Sequence, residues 1–479
     1  MKTDYANRGP VLAVTSFILA VLLLPALFYP ASAQRSGQES KPNILFILAD
    51  DLGYADVGFT GGKEIKTPNL DSLASAGARL EQFYVLPVCS PTRAALMTGR
   101  YPMRHGLQVG VVRPWAQYGL PLEERTLPQA LRETGYATAL VGKWHLGHFR
   151  REYLPTERGF DHQYGLYNGM IDYFTHMRDG GFDWHRDDRA SYDEGYSTHL
   201  LAREAVRFIR EFGGRRPFFL DVSFNAPHAP HQVPEKYKEP YAHLKEPRRI
   251  YAGMVAAMDE AVGQIIAALD EKSLRENTLI VFSSDNGGPA PGQVTDNGRL
   301  RAGKTALYEG GVRVAALTAW KGRIPPGTVV KQPLHMVDWY PTLLKVAGAP
   351  LRQKLPIDGR DAWPTIAAGK SSPHAEILLN ATPQTGAIRA GDWKLVLNGG
   401  YSSEVSESET GRERSAAGET VELFNLADDP YEEKNLADKY PAKVKALRAR
   451  YDALAAQAVA PKIRPRSSDF KVPRVWGEQ

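Results

Sequence analysis

The stretch NILFILADD, residues 43–51, is the clearest structural signal in this chain of 479 residues. Residues 44–48 are all apolar and lack the alternation of a half-exposed strand, as expected for a strand buried on both faces of a sheet. Two acidic residues, Asp50 and Asp51, follow the apolar run directly. The stretch therefore predicts a buried strand, over 43–49, that ends on two carboxylates.

Short apolar strands alternate with amphipathic helices over the first three quarters of the chain. Further strands are predicted at 137–141, 217–224 and 278–283. Helices are predicted at 69–76, 127–133, 197–212 and 251–269. This alternation is typical of an α/β fold in which helices flank a large, mostly parallel or mixed sheet. We assign this domain to residues 34–370.

The pattern changes after residue 370. Short strands are predicted at 376–380, 386–389, 393–397 and 422–425, followed by a helix over 442–456. They indicate a smaller C-terminal domain, 371–479, with an antiparallel sheet and one helix. The polar segment 402–418 between the last two strands is predicted to be a loop. The basic, proline-containing tail from Pro461 is predicted to lie extended on the surface.

The N-terminus indicates where the protein goes. Basic residues precede an apolar run over 11–28, and the small residues 31–33 match a cleavage signal, so 1–33 is predicted to be a signal peptide. An uncleaved membrane anchor is the alternative, against which Pro25 and Pro30 argue. We expect an exported protein (periplasmic, secreted or in a lysosome-like compartment) with no stable membrane insertion after cleavage. The small net charge of +5, spread along the chain, predicts no nucleic-acid partner.

The chain has a single cysteine, Cys89. It excludes an internal disulfide and a cysteine-based zinc site, and the simplest interpretation is a small buried hydrophobic residue. However, Ser90 is a good N-cap and Pro91 a good first helical residue, which would place Cys89 just before a helix. A helix N-terminus attracts anions and favours a reactive cysteine, and Arg93 lies one turn further on.

Chemically useful side chains follow each predicted strand, where open α/β sheets bind their ligands. These residues are Asp50, Asp51, Lys143, His145, His228, Asp285 and Asn286. The carboxylate and amide oxygens suit Ca²⁺ or Mg²⁺ better than zinc, and the number of carboxylates favours Ca²⁺. The lysine and histidines add positive charge and proton-transfer groups. Together they indicate a site for a tetrahedral oxyanion such as a sulfate or phosphate ester.

The segment 89–93, CSPTR, resembles the C-x-P-x-R signature of the sulfatases of the alkaline phosphatase superfamily, specifically the cysteine-type enzymes near arylsulfatase B. Segment 96–100, LMTGR, resembles their auxiliary motif, and the resemblance covers nearly all of 42–445. It implies that a maturation enzyme oxidises the cysteine to Cα-formylglycine, whose hydrate is the nucleophile. It also implies an α/β domain followed by a smaller domain with a four-stranded antiparallel sheet.

The resemblance also assigns roles to residues of this chain. One Ca²⁺ would be bound by Asp50, Asp51, Asp285, Asn286 and the modified Cys89. The sulfate pocket would be lined by Arg93, Lys143, His145, His228 and Lys304. The resemblance thus implies hydrolysis of a sulfate monoester, with Asp285 a candidate for accepting a proton from the hydrate. Lys304 or His228 would protonate the leaving group, and His145 would assist the release of sulfate.

Three alternatives accompany this interpretation. A phosphodiesterase or phosphonate monoester hydrolase of the same superfamily could share most of the site. A non-catalytic sulfate-binding protein would result if Cys89 were not matured. Residues 298–305 match the P-loop pattern G-x-x-x-x-G-K-[ST], but no predicted strand precedes them, so we favour Lys304 as a sulfate-pocket lysine.

The resemblance implies that the substrate is a sulfated small molecule or saccharide, such as the 4-sulfate of N-acetylgalactosamine. Two segments that should select it, 105–120 and 165–195, are the least family-like parts of the chain. Their ring-bearing side chains could stack on a sugar or an aryl group, although ordinary packing is the simpler interpretation. These are Trp115, Tyr118, Tyr173, Phe174, His176, Trp184 and His185.

Overall fold

The computed structural model describes residues 41–399 and 419–478, together with Pro10 and Leu12. Most of the predicted signal peptide and the predicted loop at 402–418 lie outside the described residues. The chain divides into two compact units, Met1–Ser40 and Lys41–Gln479, and the description below concerns the second. The domain boundary predicted at residue 370 stays a prediction.

Strands predicted from apolar runs form where expected, with ends that differ by a residue or two. The strands, in chain order, are β1 (Asn43–Ala49), β2 (Ala78–Leu80), β3 (Phe83–Tyr84), β4 (Ala137–Gly142), β5 (His162–Gly165), β6 (Met177–Arg178), β7 (Gly181–Phe182), β8 (His185–Arg186), β9 (Arg189–Ala190), β10 (Phe218–Ser223), β11 (Thr278–Ser284), β12 (Ala316–Ala319), β13 (Thr328–Val330), β14 (Leu334–His335), β15 (Ile377–Ala381), β16 (Gly386–Ala390), β17 (Trp393–Leu397) and β18 (Val421–Asn425).

The predicted helices also form. They are α1 (Pro68–Ala76), α2 (Cys89–Thr98), α3 (Leu127–Arg132), α4 (Ser197–Phe212), α5 (Glu235–Lys238), α6 (Arg248–Glu271), α7 (Glu309–Val312), α8 (Trp339–Val346), α9 (Trp363–Ala368) and α10 (Pro441–Ala455). By length and composition α6 could cross a membrane, but 67% of its most apolar window is buried inside the protein. Its apolar character is therefore explained by the core.

Ten of the strands in the described ranges form one mixed sheet, in the order β13-β2-β12-β11-β1-β10-β4-β5-β8-β9. The five central strands from β11 to β5 are parallel, and β12 and β8 add antiparallel neighbours at the two sides. The predicted mixed α/β sheet is confirmed. The carboxyl ends of the central strands lie along one edge, which is where a ligand site is expected.

β1 occupies the centre of the sheet and contributes side chains to both of its faces. Ile44, Phe46 and Leu48 are fully buried in a core shared with α2, α3 and α8. Leu45 and Ile47 point to the opposite core, shared with α1, α4 and α6. Side chains alternate along a strand, so an uninterrupted apolar run is required when helices cover both faces.

The C-terminal strands β15-β16-β17-β18 form a separate antiparallel four-stranded sheet, as predicted. A buried ion cluster, called here the Lys394 cluster, joins this sheet to α7 and to β3, which pairs with β14 in a two-stranded sheet. The Nζ of Lys394 on β17 lies 2.9 Å from Glu309 of α7 and 2.8 Å from Glu432. Glu309 also accepts a hydrogen bond of 2.8 Å from the Tyr84 hydroxyl of β3. Arg389 donates to the same hydroxyl.

The tail is extended and largely exposed from residue 459 onward, as predicted, but its end is not loose. Trp476 is 2% exposed, and its indole nitrogen donates to the carbonyl of Arg178 at 3.0 Å. The sequence did not predict this return to the large domain, because a single tryptophan in a polar tail carries no periodic signal. We call residues 459–478 the C-terminal strap.

Candidate active site

The carboxyl ends of four neighbouring parallel strands bring the predicted residues together. Asp50 and Asp51 follow β1, Asp285 and Asn286 follow β11, and His228 lies five residues after β10. Lys143 and His145 follow β4. These strands lie side by side in the order β11-β1-β10-β4, so the expected convergence on one rim of the sheet is confirmed.

Three ion pairs form the centre of the site, and their side chains are almost wholly buried. Lys143 Nζ lies 2.5 Å from Asp50 Oδ2, and Lys304 Nζ lies 2.8 Å from Asp51 Oδ1. Arg93 donates from Nε and Nη2 to Asp285 Oδ2, at 3.2 and 3.0 Å. Three carboxylates thus face three cations, and the cluster is balanced in charge. Arg93 is engaged with Asp285 and does not point freely at an oxyanion position.

Cys89 lies in the middle of this arrangement at the N-terminus of α2, with 1% of its surface exposed. Its Sγ is 3.5 Å from Asp50 Oδ1. We call Cys89 and the three pairs around it the Cys89 cluster.

The start of α2 differs from the prediction. The helix begins at Cys89 with Val88 as N-cap, so Ser90 lies inside the first turn. The Ser90 hydroxyl donates to the carbonyl of His145 at 2.8 Å and accepts from the amide of Val112 at 3.0 Å. A buried hydroxyl with two tertiary partners has no need to cap its own helix. It links the helix that carries Cys89 to two neighbouring loops.

The surroundings of Cys89 favour the neutral thiol. Burial raises the pKa of Cys89, and the negative charge of Asp285 raises it further, above the ordinary thiol range. The helix N-terminus and nearby lysines oppose this effect without overcoming it. The reactive thiolate expected from the helix N-terminus is therefore not the favoured form, and an unmodified Cys89 would be a weak nucleophile.

The oxygen atoms of this cluster fit a divalent cation. Asp50, Asp51, Cys89 and His228 each offer one ligand atom, and these atoms lie within 4.8 Å of one another. The Oδ1 of Asn286 is buried and has no hydrogen-bond donor, while its Nδ2 donates to Asp51 Oδ1 at 2.7 Å. A buried acceptor without a donor is costly, and a hard cation would satisfy it.

The pKa values of two acids in the cluster are shifted in opposite directions. Burial and then the charge of Asp50 raise the pKa of Asp285 to about 6. Burial also acts to raise the pKa of Asp51, but Lys304 and then His228 outweigh it and hold this pKa below its ordinary range. Closely packed carboxylates repel one another in a buried site, and a bound divalent cation would relieve that repulsion.

Both histidines are held in the neutral form. Burial lowers the pKa of His145 well below its ordinary value, and Lys143 lowers it further. Burial lowers the pKa of His228 to about 3, although Asp51 opposes the shift. The Nδ1 of His228 lies 2.6 Å from the carbonyl of Ala229, and its Nε2 lies 3.2 Å from Lys304 Nζ. In the neutral tautomer consistent with these contacts, Nε2 accepts from the lysine.

Within the described residues, the cluster has a solvent-facing edge and a closed side. The side chains of Lys304 and His228 are 16% and 14% exposed, whereas those of Asp50 and Lys143 are 0% exposed.

The loop that carries Lys304 is not a P-loop. The preceding strand, β11, ends at Ser284, and the next helix, α7, starts only at Glu309. The Lys304 amide donates to the carbonyl of Gly288 at 3.2 Å. A Cβ atom on Gly287 would meet the carbonyl oxygen of Gly310 at 1.8 Å, so glycine is required where the two loops touch. This tight backbone contact places Lys304 beside Asp51.

The ring-bearing residues predicted as possible cleft walls divide into two groups. Tyr173, His176, Trp184 and His185 are at most 1% exposed, so packing explains them. The Tyr173 hydroxyl also donates to the carbonyls of Asn225 and His228, at 2.6 and 2.8 Å, and thereby supports the His228 loop. The remaining three are partly or well exposed and can meet a ligand: Trp115, Tyr118 and Phe174.

Two contacts of the site were not predicted. The Nε2 of His145 lies 3.1 Å from the carbonyl oxygen of Val112. Gly169 packs against the same imidazole so closely that a Cβ atom would lie 2.4 Å from its Cε1. A main-chain acceptor has no signature in the sequence. The only available signal for the second contact was a glycine in the segment 165–195.

Comparison with known proteins agrees with this geometry. The family model described as Sulfatase matches residues 42–349. Arylsulfatase J of Mus musculus is 38% identical, covering 91% of this chain and 80% of its own length. N-acetylgalactosamine-6-sulfatase of Homo sapiens is 34% identical, covering 70% of this chain and 67% of its own length.

The crystal structure of Ps i-CgsB in complex with k-i-k-neocarrahexaose is similar at 32% identity and a TM-score of 0.79, covering 90% of this chain and 96% of that chain. The large mixed sheet and the separate four-stranded sheet thus form an alkaline phosphatase-like fold. With its match to the family model, the extent of its similarity to these relatives and its converging site, the chain belongs to the sulfatase family and is a sulfuric ester hydrolase.

Proposed function

We propose that the enzyme hydrolyses its sulfate ester with a Cα-formylglycine formed at Cys89 and with one Ca²⁺ bound beside it. The observation that carries the proposal is the position of a buried cysteine, whose pKa burial raises, among three carboxylates and three cations. Such a thiol is a poor nucleophile, but an aldehyde hydrate at the same place could attack sulfur and later release sulfate by elimination. Maturation would require a separate oxidising enzyme.

Asp50, Asp51, Asp285, Asn286 and residue 89 would hold the cation. When bound, Ca²⁺ would neutralise charge on the sulfate oxygens and on the acids. The donor-free Oδ1 of Asn286 supports this assignment. Because the protein side chains are already balanced in charge, a divalent cation and a singly charged sulfate monoester would leave one net positive charge in the cluster, and the sulfate dianion formed by hydrolysis would leave it neutral.

The cations of the chain would bind and orient the ester. Lys143 lies on the closed side and would hold sulfate oxygens, while Arg93 keeps Asp285 in place. Lys304 and His228 occupy the solvent-facing edge, where the leaving-group oxygen would lie, and the Lys304 ammonium is placed to donate a proton to it. His145 is neutral and its Nδ1 has no hydrogen-bond partner, so it can accept a proton during sulfate release.

The substrate is proposed to be a sulfated saccharide. Two observations on relatives support this class: one relative is named N-acetylgalactosamine-6-sulfatase, and one similar structure is a complex with k-i-k-neocarrahexaose. The 4-sulfate of N-acetylgalactosamine stays a candidate within this class. Turnover of a panel of sulfated saccharides by the matured enzyme would identify the substrate.

The enzyme is proposed to be exported, with residues 1–33 removed. The apolar run at 11–28 and the small residues at 31–33 support this proposal. N-terminal sequencing of the secreted or periplasmic protein tests it, and a mature protein that retains residue 1 would contradict it.

The decisive experiment combines mass spectrometry with kinetics. The tryptic peptide 80–93 should contain an aldehyde or its hydrate at position 89, and the Cys89→Ala variant should lose at least about 10³-fold in turnover of para-nitrophenyl sulfate. A Cys89→Ala variant that keeps full turnover would show that the mechanism is wrong. Turnover of matched phosphate and phosphonate esters serves as a control for ester specificity.

A further inference from the structure

The C-terminal strap runs along the segment 105–118, one of the two segments expected to select the substrate. The amide of Lys462 donates to the carbonyl of Gly106 at 2.7 Å, and the indole of Trp115 donates to the carbonyl of Arg464 at 3.2 Å. Trp476 then fixes the far end of the strap in the large domain. The strap therefore has a defined course beside this segment.

The same segment is in direct contact with the active site. Val112 bonds to the Ser90 hydroxyl through its amide and lies 3.1 Å from His145 Nε2 through its carbonyl. Trp115 lies three positions after Val112, so the Cα atoms of these two residues are at most about 10 Å apart. This distance is comparable to one or two sugar units of an extended saccharide.

A cavity of about 210 Å³ lies where the strap meets this segment, and its walls include Trp115, His148, Phe470, Lys471 and Trp476. It is smaller than the pockets of about 300–1,000 Å³ that hold drug-sized ligands, which suits a single sugar ring. Aromatic faces beside polar groups are typical of surfaces that bind sugars by stacking and hydrogen bonding. Glu478 is the carboxylate in the lining.

The strap is strongly basic on its exposed surface. Its exposed cations are Arg464, Arg466, Lys471 and Arg474. Asp469 and Glu478 are its acidic residues. Arg464 and Arg113 both act electrostatically on the Tyr118 hydroxyl, so positive charge from the strap and from the segment 105–118 meets at one place. Such a surface attracts an anionic ligand.

We propose that the strap and the segment 105–118 form an outer subsite that binds a second, anionic sugar unit of a saccharide chain while its sulfate ester occupies the Cys89 cluster. The inference rests on the proposed saccharide substrate. Arg464 and Lys471 would pair with a sulfate or carboxylate group of that unit, and Trp115 would stack on its ring. The enzyme would thereby prefer an oligosaccharide to a sulfated monosaccharide or an aryl sulfate.

The test compares a ligand that reaches the subsite with one that does not. Arg464→Gln combined with Lys471→Gln should raise the KM for a carrageenan or chondroitin sulfate hexasaccharide about tenfold, with kcat unchanged. Turnover of para-nitrophenyl sulfate, which has no second unit, should stay as in the wild type. In a Cys89→Ala background the same pair of substitutions should weaken hexasaccharide binding about tenfold, which measures the subsite without catalysis.

The matched control replaces two exposed lysines near the amino end of β11, on the opposite edge of the sheet. Lys272→Gln combined with Lys321→Gln removes the same charge and should change neither constant. If Arg464→Gln combined with Lys471→Gln lowered kcat/KM equally for the hexasaccharide and for para-nitrophenyl sulfate, the strap would only support the fold and the proposal would be overturned. Failure of both hexasaccharides to bind would also overturn it, while retained aryl sulfate turnover would leave the sulfatase function intact.

Discussion

The Cys89 cluster and the Lys394 cluster are both buried groups of acids and cations, yet only the first has the properties of an active site. Both carboxylates of the Lys394 cluster lie within 2.9 Å of the Lys394 ammonium, and the side chains of all three residues are 0% exposed. In the Cys89 cluster, Asn286 Oδ1 lacks a donor, and Lys304 and His228 reach solvent.

The difference teaches that buried charge alone does not indicate catalysis. A closed cluster has no room for a ligand and serves to join the four-stranded sheet to α7 and β3. An open cluster with a donor-free acceptor can exchange its internal pairs for a cation and a substrate. Perturbed pKa values and a buried acceptor without a hydrogen-bond donor occur in both places, so the open edge is the better criterion.

The largest effect is expected from Lys394→Met. Removing the cation leaves Glu309 and Glu432 buried together with Arg313, 3.7 Å from Glu309, as the remaining ion-pair partner, which should lower the free energy of unfolding by about 3–5 kcal/mol. Turnover per folded molecule should be nearly unchanged. Urea unfolding followed by tryptophan fluorescence measures the first quantity. The exposed Lys331→Met is the control, and a loss below about 1 kcal/mol at position 394 would contradict the structural role.

Lys304→Met should reduce activity strongly and stability little, which is the reverse of the result expected for Lys394→Met. We expect kcat/KM for para-nitrophenyl sulfate to fall about 10²–10³-fold, because charge stabilisation at the leaving-group edge is lost. Stability should change much less than in Lys394→Met, since Asp51 retains the hydrogen bond from Asn286. Steady-state kinetics and thermal unfolding of the same samples test both statements. If Lys304→Met were as unstable as Lys394→Met, the two clusters would not differ in kind.

Ca²⁺ should stabilise the wild type through the Cys89 cluster. At about 100 times the dissociation constant, a ligand that binds only the folded state adds about 2.7 kcal/mol. Chelation should reverse the resulting rise in Tm and abolish turnover. Asn286→Leu should weaken the response, whereas Lys394→Arg should leave it intact. A Tm that changes neither on addition of Ca²⁺ nor on chelation would contradict the metal assignment.

The smallest effect is expected for the pH dependence of Tm, from a third group of charged residues around His162 that is only partly exposed. His162 lies 2.7 Å from Glu204 and 2.9 Å from Asp187, and although burial lowers its pKa, hydrogen bonds to these acids raise it overall. The folded-state pKa therefore exceeds the unfolded value. The stabilisation is complete below about pH 6.5 and is lost as the pH rises through the raised pKa. His162→Gln should flatten the dependence of Tm on pH between 6 and 8.

Much of the Cys89 cluster could be predicted from the sequence because its residues follow strands. Apolar runs located β1, β4, β10 and β11, and the rule that parallel strands end on one rim placed Asp50 and Asp285 together. The family resemblance added Lys304, which follows no predicted strand and lies in a loop. Its position depends on a glycine contact between two loops, which has no local pattern.

The Lys394 cluster could not be predicted in the same way. Lys394 occurs in an ordinary strand pattern, and Glu309 and Glu432 are far from it in the chain. Nothing local distinguishes a buried lysine from an exposed one when its partners come from other elements. The course of the strap could not be predicted for a similar reason, because main-chain hydrogen bonds and one distant tryptophan determine it. Ser90 was misassigned because tertiary partners outweighed its capping preference.

The contact between Gly287 and Gly310 has a consequence for how such an enzyme can diversify. Backbone meets backbone there, so almost any substitution would push the Lys304 loop away from Asp51. The strap, in contrast, is attached between residues 459 and 464 through its carbonyls and amides, which most side chains leave available, and Trp476 fixes its far end. Mutational scanning should find that positions 287 and 310 tolerate few substitutions and that the strap tolerates many. Libraries aimed at new sulfated substrates should therefore vary the strap and leave the glycine contact unchanged.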